Sequence, residues 1–457
     1  MTFLLSIAAC VLAVVAVGML YASGIAFYNL YLHPLAKYPG PKLNAISSLP
    51  WLSKMVRGDM VQYLHALHEE YGEVVRFLPN ETSFITASAW KEIYGHAAAK
   101  IFVKDPASYM RPPQGKATSI LTADDADHAR CRKLLTHAFS DRALREQHVL
   151  IQGYVDSLIR NLSDRAVGGS KEMPSVDMTQ WYNFTTFDLI GDLAFGSPFD
   201  CLKESAMHPW VSMIFESVKG VFFFSLAQRY TPMDKVMLFF LGKTGQEKQA
   251  SHMAMTIEKV SQRLSIETDR PDFMSYILKY NDEKGMSREE IVANSSFLIK
   301  AGSETTATGL SGATYLLLKN PQALQKVVSE VRSSFKSVDE MDAASLANCK
   351  YLDACLKESL RMYPPVPIGL PRRATEATVV SGWQVPKHVR PPARYIHAQI
   401  ALTSISPNRP GSEFPNGHRT THPSITTSPD PSSRSDGCRT HHHPILTTTL
   451  RLSSLSP

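Results

Sequence analysis

The residues of this sequence whose types and spacing could do chemistry fall into three groups. The first is Ala301-Gly-Ser-Glu-Thr-Thr306, which lies inside a helical pattern. A carboxylate beside two hydroxyls in such a helix could pass protons to a molecule bound against it. Gly302 in mid-helix costs about 1 kcal/mol against alanine. Thr305 and Thr306 can bond back to carbonyls one turn earlier and bend the helix. On spacing alone, a helix with a tolerated glycine and a surface Glu304 reads the same way. The second group is Glu358-Ser-Leu-Arg361, where an acid and a base three residues apart share a helical face and can pair. A surface ion pair of little energetic worth fits equally. The third is Asp127-His-Ala-Arg-Cys-Arg-Lys133, which puts His128 and Arg132 on one face as a grip for a carboxylate or phosphate. A solvated basic face is the plainer reading of that run.

Several elements must position these groups. Ser287-Arg-Glu-Glu290 is a capping box, and no proline interrupts the chain from Arg288 to Asn320. That spacing predicts one long helix through the core, carrying Glu304 and Thr305. A second helix over 350–363 carries Glu358 and Arg361 and stops at Pro364-Pro365. Residues 73–78 and 82–86 read as a strand pair around a Pro79-Asn80 turn, and strands return over 377–385 around Ser381-Gly382. The fold class is mainly α with small β-sheets.

The N-terminus faces a membrane. Met1 to Ala36 contains no Lys, Arg, Asp or Glu, and 3–27 is nearly all apolar, long enough to span a hydrocarbon core as one helix. A cleaved signal peptide would want a basic start and a shorter apolar run. Lys37, Lys42, Lys54 and Arg57 follow the span, which puts the body of the chain in the cytosol. The expected organisation is an anchor over 1–28, a stiff proline-rich hinge over 29–50 that sets the body off the membrane, a catalytic body over 51–388 and a tail over 389–457. That tail has no Lys, seven Arg, ten Pro and twenty Ser or Thr, and no apolar period, so it is expected to be disordered.

Composition excludes other classes. The net charge of +6, from 48 basic and 42 acidic residues, is too diffuse to argue for nucleic acid. Six scattered cysteines form neither a disulfide framework nor a zinc ribbon. Gly242-Lys243-Thr244 resembles the end of a phosphate-binding loop, but Met237 stands where its first glycine belongs. His441 to His443 lack partner ligands nearby. The apolar clusters 222–224 and 238–241 read as core, as a membrane-dipping surface or as the lining of an apolar tunnel.

Taken in order, these motifs resemble those of the cytochrome P-450 family, haem-thiolate monooxygenases, of the membrane-bound fungal type. Asn29 to Leu43 resembles the segment after the anchor, and Asp127 to Arg145 the third long helix. Ala301 to Thr306 matches the oxygen-activation motif [AG]-G-x-[DE]-T-[TS], and Glu358 with Arg361 matches E-x-x-R. Pro364-Pro-Val-Pro367 and Leu370-Pro-Arg372 continue the likeness, which covers about residues 25–387. It implies haem b as cofactor, with His128, Arg132 and Arg372 on its propionates. It implies that Glu304 and Thr305 deliver protons to dioxygen, and that Glu358 and Arg361 are structural. An NADPH-dependent reductase would supply electrons at the endoplasmic reticulum membrane. The substrate would be an apolar small molecule, plausibly of fungal secondary metabolism.

The likeness stops after Gly382-Trp-Gln-Val-Pro-Lys387. The family's axial cysteine sits in an F-x-x-G-x-R-x-C-x-G loop, and this chain has no such pattern. Cys438, in Ser435-Asp-Gly-Cys-Arg-Thr440, lacks both the Phe and the following Gly, so no metal ligand is assigned. A C-terminally incomplete fold is expected, from a frameshift, an unspliced intron or a premature end near codon 388. Two further readings stand beside the enzyme: an inactive, truncated or frameshifted pseudoenzyme without thiolate-ligated haem, and a membrane-anchored helical scaffold.

Overall fold

The protein is described by a computed structural model covering residues 2–105, 108–109, 116–167, 175–214, 233–268, 270–282, 285–367, 369–387, 395–398 and 449–450. The chain begins with helix α1 (Thr2–Phe27), which runs into a single π-helical turn at Tyr28–Leu32. Ala9–Leu32 has a mean hydropathy of 2.2 and is not covered by the body, so it is long and apolar enough to cross a membrane.

The residues after α1 are bonded to the body. They lie on a small sheet whose first strands are β1 (Val74–Leu78) and β2 (Glu81–Phe84). Arg76 of β1 is almost fully buried, and no carboxylate among the described residues partners it. Its guanidinium instead donates to the carbonyls of Asn29 at 2.8 Å, Leu35 at 3.3 Å and Pro79 at 2.7 Å. His33 meets the Asn80 side chain at 3.0 Å, and the Tyr38 hydroxyl donates to the Gln384 carbonyl at 2.9 Å. The proline-rich segment is therefore bonded to the body at several points, because buried polar groups must find hydrogen-bond partners.

The sheet has the order β1-β2-β8-β5-β3, with β3 at Phe102–Lys104, β5 at Arg372–Ala374 and β8 at Tyr395–Ala398. Strand β8 pairs parallel with β2 and antiparallel with β5. Of residues 389–457, expected as a disordered tail, β8 and the two-residue β9 (Thr449–Leu450, paired with β4 at Val176–Asp177) are the described parts. The rest, including Cys438 and His441 to His443, lies outside the described residues. Strands β6 (Thr378–Val380) and β7 (Trp383–Val385) form a hairpin. Its two turn residues, Ser381 (φ 48°) and Gly382 (φ 78°), both take the left-handed conformation that a two-residue turn between twisted strands demands.

Helices α2 (Leu49–Arg57), α3 (Met60–Tyr71) and α4 (Ala87–Tyr94) flank the sheet. The helical body contains α5 (Asp125–Ala138), α6 (Asp141–Val167), α7 (Met178–Phe195), α8 (Met233–Leu264), α9 (Phe273–Tyr280), α10 (Arg288–Lys319), α11 (Pro321–Ser334) and α12 (Lys350–Met362). Residues 222–224 fall outside the description, and 238–241 lie in α8 with side chains that are not described.

The 32-residue α10 matches the expected long helix, and its capping box forms. Ser287 Oγ accepts from Glu290 N–H, and Glu290 Oε2 accepts from Ser287 N–H at 2.8 Å. Helix α7 is buried on nearly every side, with Trp181, Phe184, Phe187, Ile190 and Leu193 all in the core. It packs directly against α10. Its buried Asp188 carboxylate accepts from the N–H groups of Phe199, Cys201 and Leu202, fixing the following loop. Burial raises the Asp188 pKa, and those three donors oppose the rise.

One fully buried imidazole ties α8 to α10. The Trp210 indole N–H donates to His252 Nδ1 at 2.8 Å, and His252 Nε2 meets Ser296 Oγ at 2.9 Å. An indole can only donate, so Nδ1 is the acceptor and Nε2 carries the proton. Burial, with Lys300 nearby, lowers the His252 pKa to about 3. Below the ordinary histidine value the unfolded chain takes up a proton that the folded chain refuses. The stability held by neutral His252 is therefore present above about pH 6.5 and drains away toward pH 3. The loss is on the order of 5 kcal/mol across that window. Thermal melts of the chain in nanodiscs should show the melting temperature falling from pH 6.5 downward, with a shallower fall in His252→Gln. Identical slopes in the two proteins would refute the assignment.

Candidate functional site

Strand pairing sets Lys104 of β3 directly across from Arg372 of β5. Lys104 Nζ donates to the carbonyls of Ile120 at 2.9 Å and Ala123 at 3.1 Å, just before α5 begins. Asp124 caps α5 by accepting from Asp127 N–H at 3.0 Å, and His128 follows on the first turns. Arg372 is fixed between two rings, with its guanidinium 5.1 Å from the Tyr94 centroid and 5.9 Å from that of Tyr109. Its Nη1 donates to the Tyr109 hydroxyl at 2.7 Å.

His128 registers this assembly. Its pKa is lowered first by burial and then by the charges of Lys104, Arg132 and Arg372, against the opposing pull of Asp125. Three cations thus act on one half-buried imidazole, and the site is electropositive. His128 thus feels the charges of both Arg132 and Arg372, and Lys104 joins them. Sequence reasoning missed Lys104 because Phe102-Val-Lys104 is too short to read as a strand, and its partner lies far along the chain.

The site is joined to the core helix at two points. Asn294 of α10 accepts from Ile120 N–H at 2.8 Å, in the loop that Lys104 holds. Arg130 of α5 donates to both carboxylate oxygens of Glu290, at 2.9 and 2.5 Å. Glu290 thereby serves the capping box and the α5 contact at once, and Arg130 holds its pKa below the usual carboxylate range.

Further along α10, Thr305 Oγ1 donates to the Ala301 carbonyl at 2.6 Å, the back-bond expected from the sequence. Ser303 and Ser311 do the same to Ile299 and Ala307. Glu304 and Thr305 are both half-buried, whereas Thr306 is exposed. Gly302 has a packing reason: a Cβ there would stand 2.8 Å from Ile190 Cδ1 of α7.

On α12 the expected ion pair forms in fork geometry. Arg361 Nε and Nη2 donate to the two oxygens of Glu358 at 2.7 and 2.6 Å. The pair lowers the Glu358 pKa and raises that of Arg361. Glu358 is more than half exposed, and Leu356, Leu360, Met362 and Val366 beside the pair are exposed as well.

The described cysteines sit elsewhere. Cys131, Cys201 and Cys349 are buried, Cys10 is in α1, and Cys355 lies beside Tyr351 and Glu330. Burial raises the thiol pKa of Cys131, Cys355 and Cys201, the last to about 12, so all three resist forming a thiolate. No group of three or more potential metal ligands occurs among the described residues.

Residues 38–394 match the family model "Cytochrome P450", seven residues beyond the last motif legible in the sequence. The chain is 46% identical over 358 residues to the cytochrome P450 monooxygenase astA of Talaromyces wortmannii, covering 78% of this chain and 71% of that protein. It is 45% identical over 347 residues to the monooxygenase atr2 of Stereocaulon alpinum, covering 76% and 68%. It is 42% identical over 351 residues to averantin hydroxylase of Dothistroma septosporum, covering 77% and 65%. This chain belongs to the cytochrome P450 family, among its fungal monooxygenases. Membership implies a haem cofactor. The cationic set at His128, Arg132, Arg372 and Lys104 suits two carboxylates, which fits the propionate end of that group.

If Arg372 contributes to the field at His128, removing its charge must raise the imidazole pKa. NMR titration of Arg372→Gln, with His128→Gln to assign the resonance, should show His128 moving up toward its ordinary value. An unmoved His128 would exclude the shared field.

Proposed function

We propose that this chain is a membrane-anchored, haem-dependent monooxygenase that inserts one oxygen atom of dioxygen into a largely apolar small molecule. The observation that carries this reading is the convergence of His128, Arg132, Arg372 and Lys104 beside a core helix bearing Glu304 and Thr305. Lys104, His128, Arg132 and Arg372 would hold the two propionates, with Tyr94 and Tyr109 setting the orientation of the Arg372 guanidinium. When bound, haem supplies the site of dioxygen activation, using electrons from an NADPH-dependent reductase.

The protein's own part is proton handling and exclusion of water. The Thr305 hydroxyl hydrogen is committed to the Ala301 carbonyl, so Oγ1 presents its lone pairs as acceptors. A proton donor can be held there, next along the helix to the Glu304 carboxylate, which exchanges protons with solvent. Glu358 and Arg361 are structural: their fork-shaped ion pair braces the last turns of α12 and touches no reacting atom. The apolar α1 and the basic residues after it support a body on the cytosolic side of the endoplasmic reticulum membrane, where the substrate partitions with the lipid. The names of the relatives, averantin hydroxylase among them, support a role in fungal secondary metabolism.

A second reading is a chain without thiolate-ligated haem. Burial of Cys131, Cys201 and Cys349 and the exposed apolar face on α12 favour it. One experiment separates the two. The full chain, expressed in yeast membranes, is reduced and exposed to carbon monoxide. A red-shifted Soret band of thiolate-ligated haem supports the monooxygenase, and its absence supports the second reading. In a protein showing that band, Thr305→Ala should slow product formation about a hundredfold and divert consumed dioxygen to hydrogen peroxide. Coupled turnover at the parental rate would remove Thr305 from proton delivery.

A further inference from the structure

Lys300 stands immediately before the Ala301 to Thr306 motif, half-buried on α10. Burial lowers its ammonium pKa to about 8. Among the described residues it has neither a hydrogen-bond nor an ion-pair partner. Its neighbour across the helix interface, His252, is uncharged and already saturated: Nδ1 accepts from Trp210, and Nε2 donates to Ser296. A desolvated cation that is out of ion-pair reach of the nearest acid on its own helix, Glu304, is costly to fold, and the usual remedies are a paired anion or loss of the proton.

Helical geometry shows where this cation points. Successive residues turn by about 100° and rise about 1.5 Å. Gly302 faces Ile190 of α7, so Lys300, two residues earlier, lies on nearly the opposite side of α10. It shares a stripe with Ser296 one turn before it and Glu304 one turn after it. Ser296 meets α8, so the stripe leads from the α8 contact to the proton-handling pair. An anion held at Lys300 would sit about 6 Å along the helix from Glu304, close to the chemistry.

We infer that Lys300 is a specificity-determining residue that pairs with the carboxylate of an otherwise apolar substrate. This rests on the monooxygenase reading and narrows its substrate class to amphiphilic acids. The Lys300 ammonium fixes the acid end one turn from Glu304 and leaves the apolar end to be oxidised. A neutral analogue of the same shape loses the ion pair and leaves the buried ammonium unpaired, which gives the site its discrimination.

The test uses the full chain in lipid nanodiscs, with 2-naphthoate and its uncharged methyl ester as probes. Binding is read by equilibrium dialysis against empty nanodiscs and by quenching of tryptophan emission. The parent should bind the acid about tenfold more tightly than the ester, as a charge-assisted pair requires. Lys300→Met should remove that preference while leaving ester affinity unchanged, and Lys300→Arg should keep it. Equal affinity of the parent for both probes, no binding of naphthoate, or a preference that persists in Lys300→Met overturns the inference. If Lys300→Met proves unfolded by circular dichroism, Lys300→Gln takes its place under the same criteria. Haem content is measured on the same samples. Acid preference without haem would sink the monooxygenase reading and leave the anion site standing. Thiolate-ligated haem without acid preference would sink the anion site alone.

Discussion

The close approach of α10 to α7 is the constraint on which the rest of this structure depends. At Gly302 the two helices come so near that a single Cβ would press on the Ile190 side chain. Ser303, fully buried beside it, returns its hydroxyl to the Ile299 carbonyl one turn earlier. With that interface fixed, the rotation of α10 about its axis is fixed, and so is the direction of every side chain along it. Gly302 and Ser303 turn toward α7, Ser296 toward His252, and Lys300 and Glu304 away from α7. A glycine that costs the isolated helix about 1 kcal/mol is thus required by packing, and the cost is offset by interhelical contact.

The second organising feature is a concentration of positive charge assembled from remote pieces. Lys104 and Arg372 are brought opposite each other by strand pairing. His128 and Arg132 come from the start of α5, whose position against α10 is set by the Arg130 to Glu290 and Ile120 to Asn294 bonds. Like charges gathered at one site repel, so such a cluster is held by covalent connection and by carbonyl, ring and hydroxyl partners around it. Lys104 has two carbonyls, and Arg372 has two tyrosines. A binding site for an anionic group is the expected consequence, because ligand binding relieves the repulsion.

Arg76 shows a different use of a buried cation. Its guanidinium pairs with no acid among the described residues and is satisfied by main-chain carbonyls from Asn29, Leu35 and Pro79. Burial lowers its pKa to about 10, which still leaves it charged at neutral pH. The segment after α1 is held on the sheet in this way, so α1 meets the body at a defined point.

By itself the sequence determined the features that depend on neighbours within about one helical turn or one hairpin. The capping box at Ser287 and Glu290, the back-bond of Thr305, the Glu358 to Arg361 pair and the Ser381-Gly382 turn are all of this kind. Residue spacing alone brings their atoms into contact. The apolar anchor was legible for the same reason, since a membrane reads only length and hydrophobicity. The tertiary structure alone decided the pairing of Lys104 with Arg372, the burial of Arg76 against the hinge, the strand at Tyr395–Ala398 and the neutral His252 beside Lys300. Each joins residues from distant parts of the chain, and each involves a group whose charge or hydrogen bonding depends on how much water its neighbours exclude. That exclusion is a property of packed elements, which no local spacing of residues encodes.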